Sequence, residues 1–202
     1  MFMQIIQGHV RDAAGARRTL DHWLDKLQPG APGWLGGTYG ITDDNLLVAC
    51  VRFASEAQAR QNSDRPEQAA WWLEMGSHFT GDVSFHDCGD VTLLLDGGSD
   101  QAGFVQVIQG RVRDLDKMHE LIEQSQKLIA TYRDDVVGAT LAIDKDGFCT
   151  QTVAFTSEAA ARQAETKELP AEVKELMQAE MALIEDVQYL DLHHPWFATA
   201  TR

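Results

Sequence analysis

The chain repeats itself. Residues 4–12 read QIIQGHVRD and residues 106–114 read QVIQGRVRD; residues 55–61 read SEAQARQ and residues 157–163 read SEAAARQ. Both pairs stand at an offset of 102, so Gln4–Gln61 aligns with Gln106–Gln163 without a gap, and 19 of the 58 positions are identical. Further on, the second half gains two residues: Pro66 matches Pro170, and DVSFHD (82–87) matches DVQYLD (186–191). Two copies are too few for a solenoid or a propeller, which stack three units or more. A two-fold repeat of about 100 residues is instead the signature of a dimer joined into one chain. The expected organisation is a first repeat over 1–96, a short Gly- and Asp-rich linker over 97–103 and a second repeat over 104–202.

Each repeat has the same order of signals. An apolar strand (Phe2–Val10, Phe104–Val112) leads into a candidate N-cap, Asp12 or Asp114, and a stretch with helical periodicity. In the first copy that helix stops at Gln28-Pro-Gly-Ala-Pro-Gly33, where prolines and glycines forbid continuation. A hairpin follows, Trp34–Ile41 with Leu46–Phe53 and Val136–Ile143 with Phe148–Phe155, around turn residues that tolerate left-handed backbone. Ser55 and Ser157 cap a second helical region that Pro66 and Pro170 restart. A last strand, Val83–Asp87 or Val187–Leu192, closes the unit, and Val91–Leu95 is expected to cross to the partner repeat. The fold class is therefore α+β: two tandem ferredoxin-like βαββαβ repeats, whose open sheet faces cover each other in a pseudo-dimeric α+β barrel.

Charge removes several functions. The 31 acidic and 17 basic side chains give a net charge of −14, divided equally between the halves, with no basic stripe to offset it. That opposes nucleic acid and anionic membrane surfaces alike. No apolar run approaches the ~20 residues of a membrane span, and MFMQIIQGHVRD reads as a strand, not a signal peptide. Cys50, Cys88 and Cys149 are scattered and odd in number, as in a cytoplasmic protein with reduced core thiols. The expected partner is a small apolar or aromatic molecule. The expected assembly is a monomer with an internal pseudo-dimer, or a homodimer.

The pattern VxFxSEAxAR (51–60 and 153–162) and the repeated topology resemble the dimeric α+β barrel superfamily and, within it, the antibiotic biosynthesis monooxygenase-like (ABM) group. PGAPGW (29–34), NSDRPEQ (62–68) and DLHHPW (191–196) are similar to segments of a tandem-repeat actinobacterial type. The resemblance implies a monooxygenase that needs neither metal nor flavin, in which an electron-rich aromatic, quinol or polyketide-like substrate itself reduces oxygen inside an apolar pocket. A non-catalytic ligand-binding or structural barrel is the alternative. Haem degradation is a third reading, since haem-degrading relatives use an Asn on the first strand with a Trp and a ligating His on the second helix. Gln7 and Gln109 stand near the place of that Asn, and Trp71 or Trp72 near that of the Trp. The nearest His, His78, comes at the helix end, where the second copy has Ala182.

Four of the five tryptophans and the run Asn62–Gln68 lie in the first copy, so the sequence directs the pocket there. Gln7, Arg65 and His78 are its candidate catalytic groups: an amide to be satisfied on an apolar strand, a cation for a developing oxyanion, and an acid–base imidazole. Asn62, Trp71, Trp72 and Trp34 are its candidate substrate-binding groups. Each has a plainer role open to it: core packing for the tryptophans, a loop ion pair for Arg65, a structural contact for His78, and backbone satisfaction for Gln7. The spacing of His193-His194 is unsuited to a metal site, and neither cofactor nor metal is expected.

Overall fold

A computed structural model describes residues 1–98 and 100–199, so Ser99 of the expected linker and the last three residues lie outside the described set. The first repeat contains β1 (Phe2–His9), α1 (Ala13–Lys26), a 3-10 turn (Gln28–Gly30), β2 (Trp34–Ile41), β3 (Leu46–Phe53), α2 (Glu56–Ser63), α3 (Pro66–Gly76) and β4 (Ser84–Leu94). The second contains β5 (Phe104–Val112), α4 (Leu115–Tyr132), β6 (Val136–Asp144), β7 (Phe148–Phe155), α5 (Glu158–Glu165), α6 (Ala171–Ala182) and β8 (Ile184–Leu192), followed by a short β9 (Trp196–Thr199).

The caps are those the sequence announces. The Asp12 carboxylate accepts from Gly15 N at 2.8 Å and the Asp114 carboxylate from Lys117 N at 2.9 Å. The Ser55 hydroxyl accepts from Gln58 N at 3.3 Å and the Ser157 hydroxyl from Ala160 N at 3.1 Å. Each such cap contributes about 1 kcal/mol by satisfying an amide that the helix leaves open. Both hairpins turn through left-handed backbone, at Asn45 (φ 67°) and Gly147 (φ 80°). Gly33 (φ 64°) ends the PGAPG segment where a Cβ would come within 2.2 Å of the Gln58 side chain.

The chain forms two compact units whose ends differ from those of the repeats. One comprises residues 1–90 with the segment from Trp196; the other comprises Val91–Pro195. In the first unit the strands run β4-β1-β3-β2-β9, all antiparallel. In the second they run β8-β5-β7-β6, with the Val91–Leu94 end of β4 beside β6. Each unit thus takes its outermost strand from the other repeat. Leu94, fully buried, belongs to the core of the second unit with Met118, Ile122, Leu141 and Ile184. The crossing of Val91–Leu95 was expected, although β4 is continuous rather than two strands. The reciprocal crossing by β9 was not expected. In the first unit β9 pairs Trp196 with Tyr39, their rings stack at 6.1 Å, and the Arg17 guanidinium lies 4.3 Å from the Trp196 ring.

Strand register fixes which side chains meet the helices. Gln4 and Ile6 share a face with Ala49, Val51, Tyr39 and Phe53, and this face packs on α1, α2 and α3. Gln7, one residue on, lies on the opposite face. In the second unit Gln106, Ile108, Val153 and Phe155 make the equivalent helix-facing surface.

Candidate functional site

Each unit holds a cavity between its sheet and its helices, built from equivalent positions. In the first unit Gln4, Ile6, Val51 and Phe53 form the floor, and Trp23, Asn62, Trp71, Trp72 and Met75 form the helical wall. The tryptophans nearly fill it. Trp23 lies 5.7 Å from Trp34 and 6.2 Å from Trp71, and Trp71 lies 5.6 Å from Trp72. The Trp23 indole donates to Gln68 Oε1 at 2.6 Å and the Trp71 indole to the Thr19 carbonyl at 2.8 Å, so both rings are anchored. Trp72 packs on Phe79 and Phe85 at 6.3 and 5.4 Å. About 70 Å³ remains.

The seven predicted residues are only partly brought together. Asn62, Trp71 and Trp72 line this cavity. Trp34 is buried behind Trp23. Arg65 is occupied structurally: it donates to Asn62 Oδ1 at 2.9 Å, to the Leu27 carbonyl at 3.2 Å and to Glu67 at 3.0 Å, tying α2 to the end of α1. Gln7 is buried on the far face of the sheet. His78 lines a separate groove with Arg18, Thr19, His22 and Glu74; its Nε2 is 3.0 Å from the Thr19 hydroxyl and its Nδ1 3.9 Å from Asp12. Gln7, Arg65, His78 and Trp34 are thus held by packing outside the cavity wall.

The second unit builds the same wall from smaller side chains. Arg11 N donates to the His78 carbonyl and Arg113 N to the Leu183 carbonyl, which aligns α6 with α3 at an offset of 105 rather than the 104 of the Pro66–Pro170 match, so His78 corresponds to Leu183 and not to Ala182. Trp71 and Trp72 then correspond to Leu176 and Met177, Met75 to Glu180, and Trp23 to Ser125 at the offset of 102. The cavity here measures about 250 Å³. Sequence reasoning placed the pocket in the first unit; of the two sheet–helix cavities the roomier is in the second, while the His78 groove of the first unit measures about 320 Å³. Ile108, Leu128, Ile129, Val153, Phe155 and Leu176 give the second unit's cavity an apolar lining.

Polar side chains interrupt that lining: Gln106, Gln151 and Glu165 beside Ser125, Glu180 and Arg133. The Ser125 hydroxyl donates to Glu180 Oε1, joining α4 to α6. Burial pushes the Glu180 carboxyl up to about 7 from the ordinary 4.5, because the charged form loses its hydration. At the end of α4, Arg133 holds Asp135 through two parallel bonds, Nε to Oδ1 and Nη2 to Oδ2, both 2.9 Å, with its guanidinium 5.7 Å from the Phe155 ring. The exposed rim carries Tyr189 and Met177. Glu180 and Ser125 were missed by the sequence reading, yet a signal existed. Val173, Leu176, Met177 and Glu180 fall at i, i+3, i+4 and i+7, so Glu180 is the acidic member of an apolar stripe. Ser125 interrupts the stripe of Met118, Leu121, Ile122, Leu128 and Ile129 in the same way.

Elsewhere, Gln4 donates to Asp87 at 2.8 Å and Gln106 to Asp191 at 2.9 Å, so these repeated amides link neighbouring strands. Glu158, Asp191 and His193 are the one group among the described residues with metal-ligand proximity. His193 Nδ1 lies 2.8 Å from Glu158, and Arg162 binds both carboxylates, so the protein's own guanidinium supplies the cation. The thiols of Cys50 and Cys149 are pushed by burial to about 12 and about 11, which leaves them protonated and inert. No helix among the described residues is long and apolar enough to cross a membrane.

No protein-family model matches the chain, and no curated protein matches it by sequence. Solved structures match its fold over nearly the whole length. A candidate monooxygenase of Lactobacillus acidophilus superposes with a TM-score of 0.76 at 12% identity, over 98% of this chain and 95% of that one. A second, from Fusobacterium nucleatum, gives 0.74 at 10% identity over 98% and 94%. An anthrone oxidase-like protein gives 0.69 at 9% identity over 100% and 94%. The architecture is the tandem ferredoxin-like one of these structures, as the repeat topology led us to expect.

Proposed function

We propose that the second unit's cavity binds a small aromatic or quinol-type compound and that the protein oxidises it with molecular oxygen, Glu180 serving as the base. The observation that carries this reading is a carboxyl poised near neutrality inside an apolar cavity of about 250 Å³. A general base works best when its pKa lies close to the ambient pH, and burial supplies that condition here. The volume lies below the roughly 300–1,000 Å³ of sites for drug-sized ligands, which favours one or two rings over a large polyketide.

The chemistry asks little of the protein. Glu180 takes the proton from an acidic C–H or O–H of the substrate, and Ser125 orients the carboxyl. The resulting anion passes an electron to oxygen, and the two radicals combine as a hydroperoxide. That species loses water to leave a carbonyl, so one methylene group and one dioxygen become one carbonyl group and one water. The proton held by Glu180 leaves with the water. An apolar lining keeps bulk water from reprotonating the anion. The oxygenase reading is supported by the fold shared with candidate monooxygenases and an anthrone oxidase-like protein. The first unit, with its cavity filled by anchored indoles, has a structural role.

Oxygen uptake tests the proposal. With a panel of two-ring substrates that can present an acidic methylene, 1-naphthols through their keto tautomers and 1,3-indandiones, the wild-type protein should consume oxygen saturably and produce the corresponding quinone or triketone. Binding without oxygen uptake across the panel would replace this reading with that of a ligand-binding protein.

A further inference from the structure

Among the described residues, Arg133 is the only basic one lining the second cavity, and its placement has a chemical consequence. The guanidinium side chain is 13% exposed, and Asp135 beneath it is 4% exposed. Nε and Nη2 are used by Asp135, while Nη1 makes no hydrogen bond within the described residues. A half-used guanidinium on a cavity wall, with its orientation locked by a bidentate partner, is a preformed receptor for one more oxyanion. The first unit offers the contrast: Arg65, near the end of α1, spends its donors on Asn62, Leu27 and Glu67 and lies outside the cavity wall.

Arg133 and Ser125 also set a length. Arg133, just past the end of α4, lies eight positions beyond Ser125, about 12 Å along a helix axis, with Leu128 and Ile129 on the cavity wall between. The Glu180–Ser125 pair and Arg133 therefore address different ends of a bound molecule, across an apolar middle.

We infer that the ligand of this cavity is a small monoanion, an aromatic or enolic compound whose carboxylate or phenolate oxygen is received by the free edge of Arg133, with Asp135 as the positioning residue. This rests on the reading of the second cavity as the ligand site, and it adds to that reading the charge and polarity of the ligand. The oxyanion at Arg133 fixes the molecule end-on, so that the group presented to Glu180 is the one remote from the charge. A charge-assisted hydrogen bond of this kind contributes about 1.5–3 kcal/mol, or about 10- to 100-fold in affinity.

The test compares shape-matched probes that differ in charge. Binding of 2-naphthoate and of naphthalene-2-carboxamide is measured by calorimetry at neutral pH. A nitronaphthol, whose absorbance reports its ionisation, covers the phenolate case. Wild-type protein should bind the carboxylate, or the ionised nitronaphthol, at least about tenfold more tightly than the neutral amide. Arg133→Gln should erase the preference. Because that change leaves Asp135 buried and unpaired, Arg133→Gln/Asp135→Asn is made alongside it; the double variant should bind acid and amide equally. Glu180→Gln should keep the preference. Equal affinity in the wild type, or a preference that survives in the double variant, overturns the inference while leaving the cavity as a ligand site. Failure of every probe to bind overturns both. Preferential binding with no oxygen uptake on the substrate panel upholds the inference and removes the oxidation.

Discussion

The two repeats share a strand order, two side-chain cap positions and a sheet–helix cavity, yet that cavity measures about 70 Å³ in one and about 250 Å³ in the other. The difference reduces to a few positions. Where the first unit has Trp23, Trp71, Trp72 and Met75, the second has Ser125, Leu176, Met177 and Glu180. Large aromatic rings bury most surface per residue, so they build the more solid core. A site needs the reverse, an unfilled volume and a polar group that pays an energetic penalty for being there. Duplication allows one copy to supply rigidity while the other tolerates both.

That contrast can be broken most forcefully at Glu180. Glu180→Gln should lower kcat for oxygen uptake by about 10²–10⁴-fold, the usual contribution of a general base, with little change in fold by circular dichroism. His78→Gln, in the first unit's groove, should leave uptake unchanged. The comparison is sharpened by exchanging the wall residues. Trp23→Ala should cost about 3–5 kcal/mol in denaturant unfolding, as expected for a buried indole that leaves a void. Ser125→Trp should fill the second cavity and abolish probe binding.

The pH dependence of stability separates the units further. The folded pKa of Glu180 lies above its unfolded value, so the group favours folding at low pH. That advantage is lost as pH rises from about 4.5 to about 7. A shift of this size corresponds to on the order of 3 kcal/mol. Unfolding free energies of wild type and Glu180→Gln, measured at pH 4.5 and pH 8, should therefore diverge at the higher pH, with the Gln variant more stable. The smallest effects belong to what the repeats share. Asp12→Ala and Asp114→Ala should each cost about 1 kcal/mol, by the same loss of a helix cap.

What could be read in the sequence was what short-range physics decides. Asp12, Ser55, Asp114 and Ser157 cap helices because their side chains reach amides three residues away. The hairpins follow from alternation and from turn residues such as Asn45 and Gly147. The crossing of Val91–Leu95 was legible because it extends an apolar strand beyond the repeat's own closing partner. The site was not legible in the same way. Ser125 and Glu180 meet only when α4 packs on α6, 55 residues apart. In the sequence a cluster of tryptophans resembles a ligand wall, although an indole that donates inward, as Trp71 does to Thr19, is part of the filling. The pairing of β9 with β2 was illegible for a related reason. Four residues carry no periodicity, and only the stack of Trp196 on Tyr39 gives them a place.

That last pairing bears on how the protein is made. β2 is synthesised early, but the strand that covers its outer edge arrives some 155 residues later, as the register of Gly36–Tyr39 on Trp196–Thr199 requires. At about 5–20 residues per second, the ribosome leaves that edge open for roughly 8–30 s. Meanwhile every strand of the Val91–Pro195 unit has already emerged. The usual order of synthesis, in which the leading domain finishes first, is thereby inverted. An open β-edge is a template for unwanted pairing with other nascent chains, and a chaperone that shields Gly36–Tyr39 during translation would raise the yield of native protein.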